Sequence, residues 1–138
     1  MKAMVLAAGF GLRMRPLTQL VAKPALPVLN RPLIQWTLEA LAGAGVREVM
    51  VNLHHLPRTV ERAVGDGTRF GLHVRYSRER EILGTGGGPR RVRRFFAGGP
   101  ALLVNGDMAF GLDLSKLIER HRSSGACATL ALDRKSVV

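Results

Sequence analysis

Residues 2–18 read KAMVLAAGFGLRMRPLT, a short apolar run that ends in a glycine-rich turn carrying cations. An apolar segment of this kind, stopped by glycine, suits a strand buried on both faces, as in a parallel sheet. Outward from it the chain alternates strand-like and helix-like segments. PLIQWTLEALAGAG predicts a helix opened by Pro32, with Leu33, Ile34, Trp36, Leu38 and Leu41 available for a core face and Gly43 and Gly45 ending it. Residues 47–53 (REVMVNL) read as a second strand, and 57–64 (PRTVERAV) as a helix stopped by the Gly65-Asp66-Gly67 turn. A third strand, 71–77 (GLHVRYS), alternates apolar and polar residues and is placed nearer a sheet edge. A glycine cluster, an Arg-rich helix from Pro89, a strand at 101–105, a helix at 113–123 and a strand-like run ATLAL ending at Leu132 complete the series. Such alternation predicts an α/β fold of βαβ units, a largely parallel sheet with helices on both faces. Ligands of these sheets bind beyond the carboxyl ends of the strands. Attention therefore falls on the segments after Ala7, Asn52 and Asn105.

Composition bounds the rest. A chain of 138 residues is one domain at most, and 46% hydrophobic against 22% charged residues excludes a disordered or fibrous chain. The single cysteine, Cys127, excludes a disulfide framework and a Cys-based zinc site, and fits a reducing compartment. No apolar run approaches the roughly 18 residues of a membrane span, and the start MKAMVLAAG lacks a clean signal-peptide cleavage pattern. The expectation is a cytoplasmic globular protein without a membrane partner. A net charge of +11 favours anionic partners. Its densest cluster, PRRVRRFF, puts Val92, Phe95 and Phe96 on one helical face, leaving Arg90, Arg91, Arg93 and Arg94 as a solvated basic side. Zinc-finger spacing and the aromatic-rich strands of RNA-binding sheets are missing, so no nucleic-acid partner is expected. His54 and His55 read as polar strand-end residues.

Four constellations carry chemistry. In AAGFGLRMRPLT (7–18) the glycines let backbone N–H groups approach a phosphate or base, with Arg13 placed two residues after Gly11. The dinucleotide fingerprint fails, because Met14 stands where its third glycine belongs, and the phosphate-loop pattern is absent. In KPALPV (23–28) the prolines stiffen an extended backbone that starts at Lys23. LGTGGG (83–88) directly precedes the Pro89 helix start, so Thr85 lies beside a helix N-terminus that favours negative charge. In VNGD (104–107), Asp107 falls at the carboxyl edge of the sheet, where one carboxylate plus nucleotide phosphates is a usual Mg²⁺ arrangement, although a strand-end Asp next to Gly106 is equally a turn former.

Taken together, GxGxRxxPLT, KPxLPV, LGTGGG and LLVNGD resemble the sugar-1-phosphate nucleotidylyltransferases (NDP-sugar pyrophosphorylases), over residues 1–132. The chain is most similar to the mannose-1-phosphate guanylyltransferase and N-acetylmuramate-1-phosphate uridylyltransferase branches. The resemblance implies a Rossmann-like fold of the nucleotide-diphospho-sugar transferase type, C-terminally truncated, with 1–132 as its N-terminal, nucleotide-binding part. It implies nucleotidyl transfer from an NTP to a sugar 1-phosphate, giving NDP-sugar and pyrophosphate, with Mg²⁺ as cofactor. By the same resemblance Gly9 and Gly11 contact the nucleotide through their backbone, with Ala8 and Leu12 beside them. Arg13 binds the departing phosphates, and Lys23 neutralises the α-phosphate or the incoming phosphate. Gly84 and Thr85 lie along the base, Asn105 touches sugar or ribose, and Asp107 holds Mg²⁺. Arg13, Lys23 and Asp107 are the catalytic candidates. Competing readings are a nucleotide-sensing module without turnover and nucleic-acid binding through Arg90–Arg94. The tail DRKSVV (133–138) is what GATCGGAAGAGCGTCGTG encodes, a common sequencing-adapter sequence, so a non-native end is expected there.

Overall fold

The structure is a computed structural model that describes residues 1–107 and 111–132. Lys2–Leu6 forms β1, and its Gly-rich continuation gives way to single 3₁₀ turns at Leu12–Met14, Leu17–Gln19 and Lys23–Ala25. A short antiparallel hairpin follows, Pro27–Val28 (β2) against Arg31–Pro32 (β3). Next come α1 (Leu33–Gly43), β4 (Glu48–Leu53), α2 (Pro57–Val64), β5 (His73–Arg78), α3 (Gly84–Arg91), β6 (Ala101–Asn105) and α4 (Leu114–Ser124).

The main sheet has the order β5-β4-β1-β6, and every pairing in it is parallel. From β1 the chain winds outward through α1 to β4 and through α2 to β5. It then returns to pair β6 with the other flank of β1. The winding direction reverses between β1 and β6, which opens a crevice at their carboxyl ends.

Alternation along β1 decides which residues meet which layer. Ala3, Val5 and Ala7 join a buried cluster with Ile34, Leu38 and Leu41 of α1, Val60 and Val64 of α2, and Leu114 of α4. Met4 points to the opposite face, where α3 comes so close that a Cβ on Gly88 would lie 3.1 Å from the Met4 methyl. Helices therefore cover both faces of the sheet, as the alternation predicts. Each fully buried leucine or valine of this core contributes roughly 1.5–3 kcal/mol. At the start of α4, Asp113 accepts hydrogen bonds from the amides of Ser115 and Lys116 at 3.0 and 3.2 Å, an N-cap that satisfies donors the helix itself cannot. Among the described residues no helix is long and apolar enough to cross a membrane.

β5 is an edge strand, as its alternation suggests. Its Tyr76 donates its hydroxyl to the Gly65 carbonyl, and burial, with Glu61 and Asp66 nearby, pushes the phenol from 10.0 up to about 12. The folded state thus holds the neutral phenol more tightly than the unfolded chain does. That stabilisation is whole below pH 10 and is expected to fade between pH 10 and about 12. Denaturant unfolding across that window should show the decline, and Tyr76→Phe should flatten it.

Three expectations need correction. LGTGGG is not a loop ahead of a helix starting at Pro89: it forms the first turns of α3, with Pro89 inside the helix. Glycine is a poor helix former, but Gly88 has no Cβ to collide with Asn52, Met4 and Glu79, so the helix packs directly on the sheet. The Arg-rich segment accordingly divides, α3 ending at Arg91 and a 3₁₀ turn covering Arg93–Phe96, with the four arginines exposed and Val92, Phe95 and Phe96 half-buried. Second, KPALPV is extended only at its end, because Lys23–Ala25 coils into a 3₁₀ turn. Third, ATLAL is not a strand: residues 128–132 carry no ladder hydrogen bonds, which a strand requires. The tail at 133–138 lies outside the described residues.

Candidate functional site

The loop after β1 is held from below. Ala7 donates its amide to Asn52 Oδ1 at 2.9 Å. Thr18, only 2% exposed, donates its hydroxyl to the Gly11 carbonyl at 2.9 Å. The Thr18 carbonyl in turn accepts from His55 Nε2 at 2.6 Å. Phe10 stands edge-on to His54 and tilted against His55, with ring centroids 5.2 and 5.6 Å away. His54 and His55, expected only as polar strand-end residues, thus brace this loop and an adjoining strand.

Gly11 and Gly9 differ in kind. Gly11 sits at φ +63°, and a Cβ there would lie 2.8 Å from Thr18 Cγ2 and 3.1 Å from Lys23 Cβ, so the fold itself demands glycine. At Gly9 a Cβ would meet nothing within 4 Å, and its φ lies outside the left-handed region. Nothing in the fold requires glycine at position 9. Gly9→Ala is therefore expected to leave the thermal midpoint unchanged, which a melting curve checks.

The opposite wall comes from the end of β6. Gly106 donates its amide to the Leu6 carbonyl at 2.9 Å, extending the ladder one residue past β6. A Cβ on Gly106 would sit 2.8 Å from Val5 Cγ1, so glycine is needed for this approach. Asp107 follows, and its Oδ2 accepts from Lys23 Nζ at 2.5 Å, an ion pair that is about one-third exposed on each side. The third wall is the start of α3, where Gly84 lies at φ +69°.

These walls enclose a cleft of about 820 Å³, lined by Ala8, Gly9, Gly11, Leu12, Arg13, Lys23, Gly84, Thr85, Asn105 and Asp107 among others. Every site residue expected from the sequence lines this cleft. It opens at the carboxyl ends of β1 and β6, where the winding direction reverses. The cleft lining carries two cations, the exposed Arg13 and Lys23, against one carboxylate, Asp107, a charge balance suited to holding a polyanion. Among the described residues no group of three or more His, Cys, Asp or Glu side chains gathers to hold a metal. Asp107 supplies one carboxylate to the cleft, an oxygen donor of the kind that hard divalent cations take.

Sequence reading gave no role to Thr18, Glu79 or the Asn52 side chain, all buried and hydrogen-bonded around the cleft. Asn52 at a strand end was the available signal. Glu79 lies in the charge run RERE (78–81), whose pattern carries no signal of burial.

The family model described as Nucleotidyl transferase matches residues 2–137. The chain is 38% identical to a UTP–glucose-1-phosphate uridylyltransferase of Synechocystis sp., over 94% of this chain and 36% of the relative. It is 39% identical to a mannose-1-phosphate guanylyltransferase of Mycobacterium tuberculosis, over 96% of this chain and 37% of the relative. It is 45% identical to an N-acetylmuramate alpha-1-phosphate uridylyltransferase of Neisseria meningitidis, over 89% and 54%. The chain thus spans roughly a third to a half of the length of these relatives. Its fold is that of the solved UDP-glucose pyrophosphorylase of Acinetobacter baumannii, with a TM-score of 0.79 at 20% identity, covering 91% of this chain and 53% of that one.

Proposed function

This chain belongs to the Nucleotidyl transferase family, and from that premise we propose that its cleft is the nucleotide half of a sugar-1-phosphate nucleotidylyltransferase site. The observation that carries the reading is the convergence of the glycine loop, Arg13, Lys23, Thr85, Asn105 and Asp107 on one cleft. In the reaction, a phosphate oxygen of the sugar 1-phosphate attacks the α-phosphorus of the NTP. The new P–O bond forms as the bond to the β-phosphate's bridging oxygen breaks, and pyrophosphate leaves carrying that oxygen. The attacking phosphate is already anionic near neutral pH, so no general base is needed. Catalysis is then positioning and charge neutralisation.

Each residue has a place in this. The backbone at Ala8, Gly9, Gly11 and Leu12 borders the triphosphate, and Arg13 takes the charge of the departing phosphates. Lys23 neutralises the α-phosphate or the incoming phosphate, and its bond to Asp107 opens when the nucleotide arrives. Gly84 and Thr85 border the base, and Asn105 reaches sugar or ribose. Asp107 would hold Mg²⁺, which when bound with the nucleotide would offset charge on the phosphates. The setting is the cytoplasm, where the triphosphates are made.

Calorimetric titration of the 138-residue chain with UTP, GTP, dTTP and ATP in excess Mg²⁺ tests the reading. Binding of at least one nucleotide at 1:1, weakened by Arg13→Ala, is expected. Failure of all four to bind at millimolar concentration contradicts it. Pyrophosphate release on adding a sugar 1-phosphate separates a transferase from a nucleotide sensor.

A further inference from the structure

Glu79 is 5% exposed, and no ion pair among the described residues includes it. A carboxylate so placed is costly unless hydrogen bonds satisfy it. Here both of its oxygens are engaged. Oε1 accepts from Asn52 Nδ2 at 2.8 Å, and Oε2 accepts from the Leu83 amide at 3.0 Å, immediately before α3. Asn52 uses its other end on the Ala7 amide at 2.9 Å, at the root of the glycine loop. The backbone of Glu79 is fixed as well: its amide donates to the Leu53 carbonyl at 2.7 Å and its carbonyl accepts from His54 Nδ1 at 2.9 Å. Gly88 closes the arrangement, since a Cβ there would press to 3.1 Å on Asn52 Nδ2 and 3.2 Å on Glu79 Oε1.

Three hydrogen bonds, two buried and the last partly buried, thus run from Ala7 through Asn52 and Glu79 to Leu83. They tie the wall that carries Gly9 and Gly11 to the wall that carries Gly84 and Thr85. We infer that Glu79, acting through Asn52, is a positioning residue that sets the width of the cleft. The inference rests on reading that cleft as the nucleotide site. The relay has a direction: Asn52 gives its NH₂ to Glu79 and keeps its oxygen for Ala7. Glu79→Gln puts an NH₂ against a donor at one end or the other, whichever way the amide is turned. Asn52→Asp sets two carboxylates against each other. The double substitution Glu79→Gln with Asn52→Asp reverses the central bond, and all three hydrogen bonds can form again.

The test is nucleotide affinity in the 138-residue chain, with UTP and GTP in excess Mg²⁺ as probes and melting curves alongside. Each single substitution is expected to weaken binding about tenfold or more, and the double to return within about threefold of the parent. Single variants that melt earlier yet bind as tightly as the parent overturn the inference, since Glu79 would then be structural only. A double variant that binds no better than the singles also overturns it, even where the singles fail to fold. A parent chain that binds neither nucleotide contradicts the nucleotide reading instead. Amide exchange at Leu83 then decides the relay by itself: faster in both singles and restored in the double if the relay exists, unchanged throughout if it does not.

Discussion

Replacing Arg13 or Lys23 with alanine is expected to lower kcat/KM for nucleotidyl transfer by about 10²–10³-fold, or roughly 3–4 kcal/mol of transition-state stabilisation. The rate is to be read in a chain extended to the length of its relatives, with pyrophosphate release as the signal. The argument is electrostatic. Transfer at the α-phosphorus brings an anionic nucleophile to an anionic electrophile, and the cleft offers two cations to offset the crowding. Neither cation is important to the fold. Arg13 is exposed on a 3₁₀ turn, and the Lys23–Asp107 pair at 2.5 Å is about one-third exposed. A pair of that exposure contributes only about 0–1 kcal/mol to stability. Turnover should therefore collapse while the melting temperature barely moves. Normal turnover in Arg13→Ala would remove the role assigned to that residue.

Gly11→Ala should act on the fold and the site together. The left-handed conformation at φ +63° strains any residue with a Cβ. The added methyl would also lie 2.8 Å from Thr18 Cγ2 and 3.1 Å from Lys23 Cβ. Thr18 cannot retreat without losing its bond to the Gly11 carbonyl. A loss of about 1–3 kcal/mol in unfolding free energy is expected, together with weaker nucleotide binding as Lys23 is displaced. Urea unfolding and nucleotide titration on the same sample measure both. Unchanged stability would mean that the loop does not hold the conformation described here. The contrast with Gly9→Ala, which should spare stability, separates a glycine the fold needs from one it does not.

The sheet was legible in the sequence because its strands are apolar runs punctuated by glycine. KAMVLA, REVMVNL and ALLVN each lie within a residue or two of β1, β4 and β6. Strand ends carry ligand sites in such sheets, which directs attention to the segments after Ala7, Asn52 and Asn105, while the roles of Gly9, Gly11, Asn105 and Asp107 come from the resemblance. What escaped was whatever depends on contacts distant in the chain. A run of glycines reads as a loop by propensity, yet Gly88 packs on Met4 and turns the segment into helix α3. ATLAL has the apolar character of a strand, but strand structure needs a partner, and apolar character does not supply one. Glu79 is the plainest case. The pattern RERE carries no signal of burial, and only the folded chain shows Glu79 buried between Asn52 and Leu83. The charge cluster Arg90, Arg91, Arg93 and Arg94 is the converse, exposed as its pattern suggests.

We propose that a nucleoside triphosphate sits between the β1 loop and the start of α3. Amide hydrogen exchange on the 138-residue chain, with and without saturating Mg²⁺–UTP or Mg²⁺–GTP, tests it most directly. Slowed exchange is expected to concentrate at residues 8–14 and 84–86, with the amides of α4 unchanged. Protection centred on Arg90–Arg94 or on α4, with the glycine loop unaffected, would contradict it.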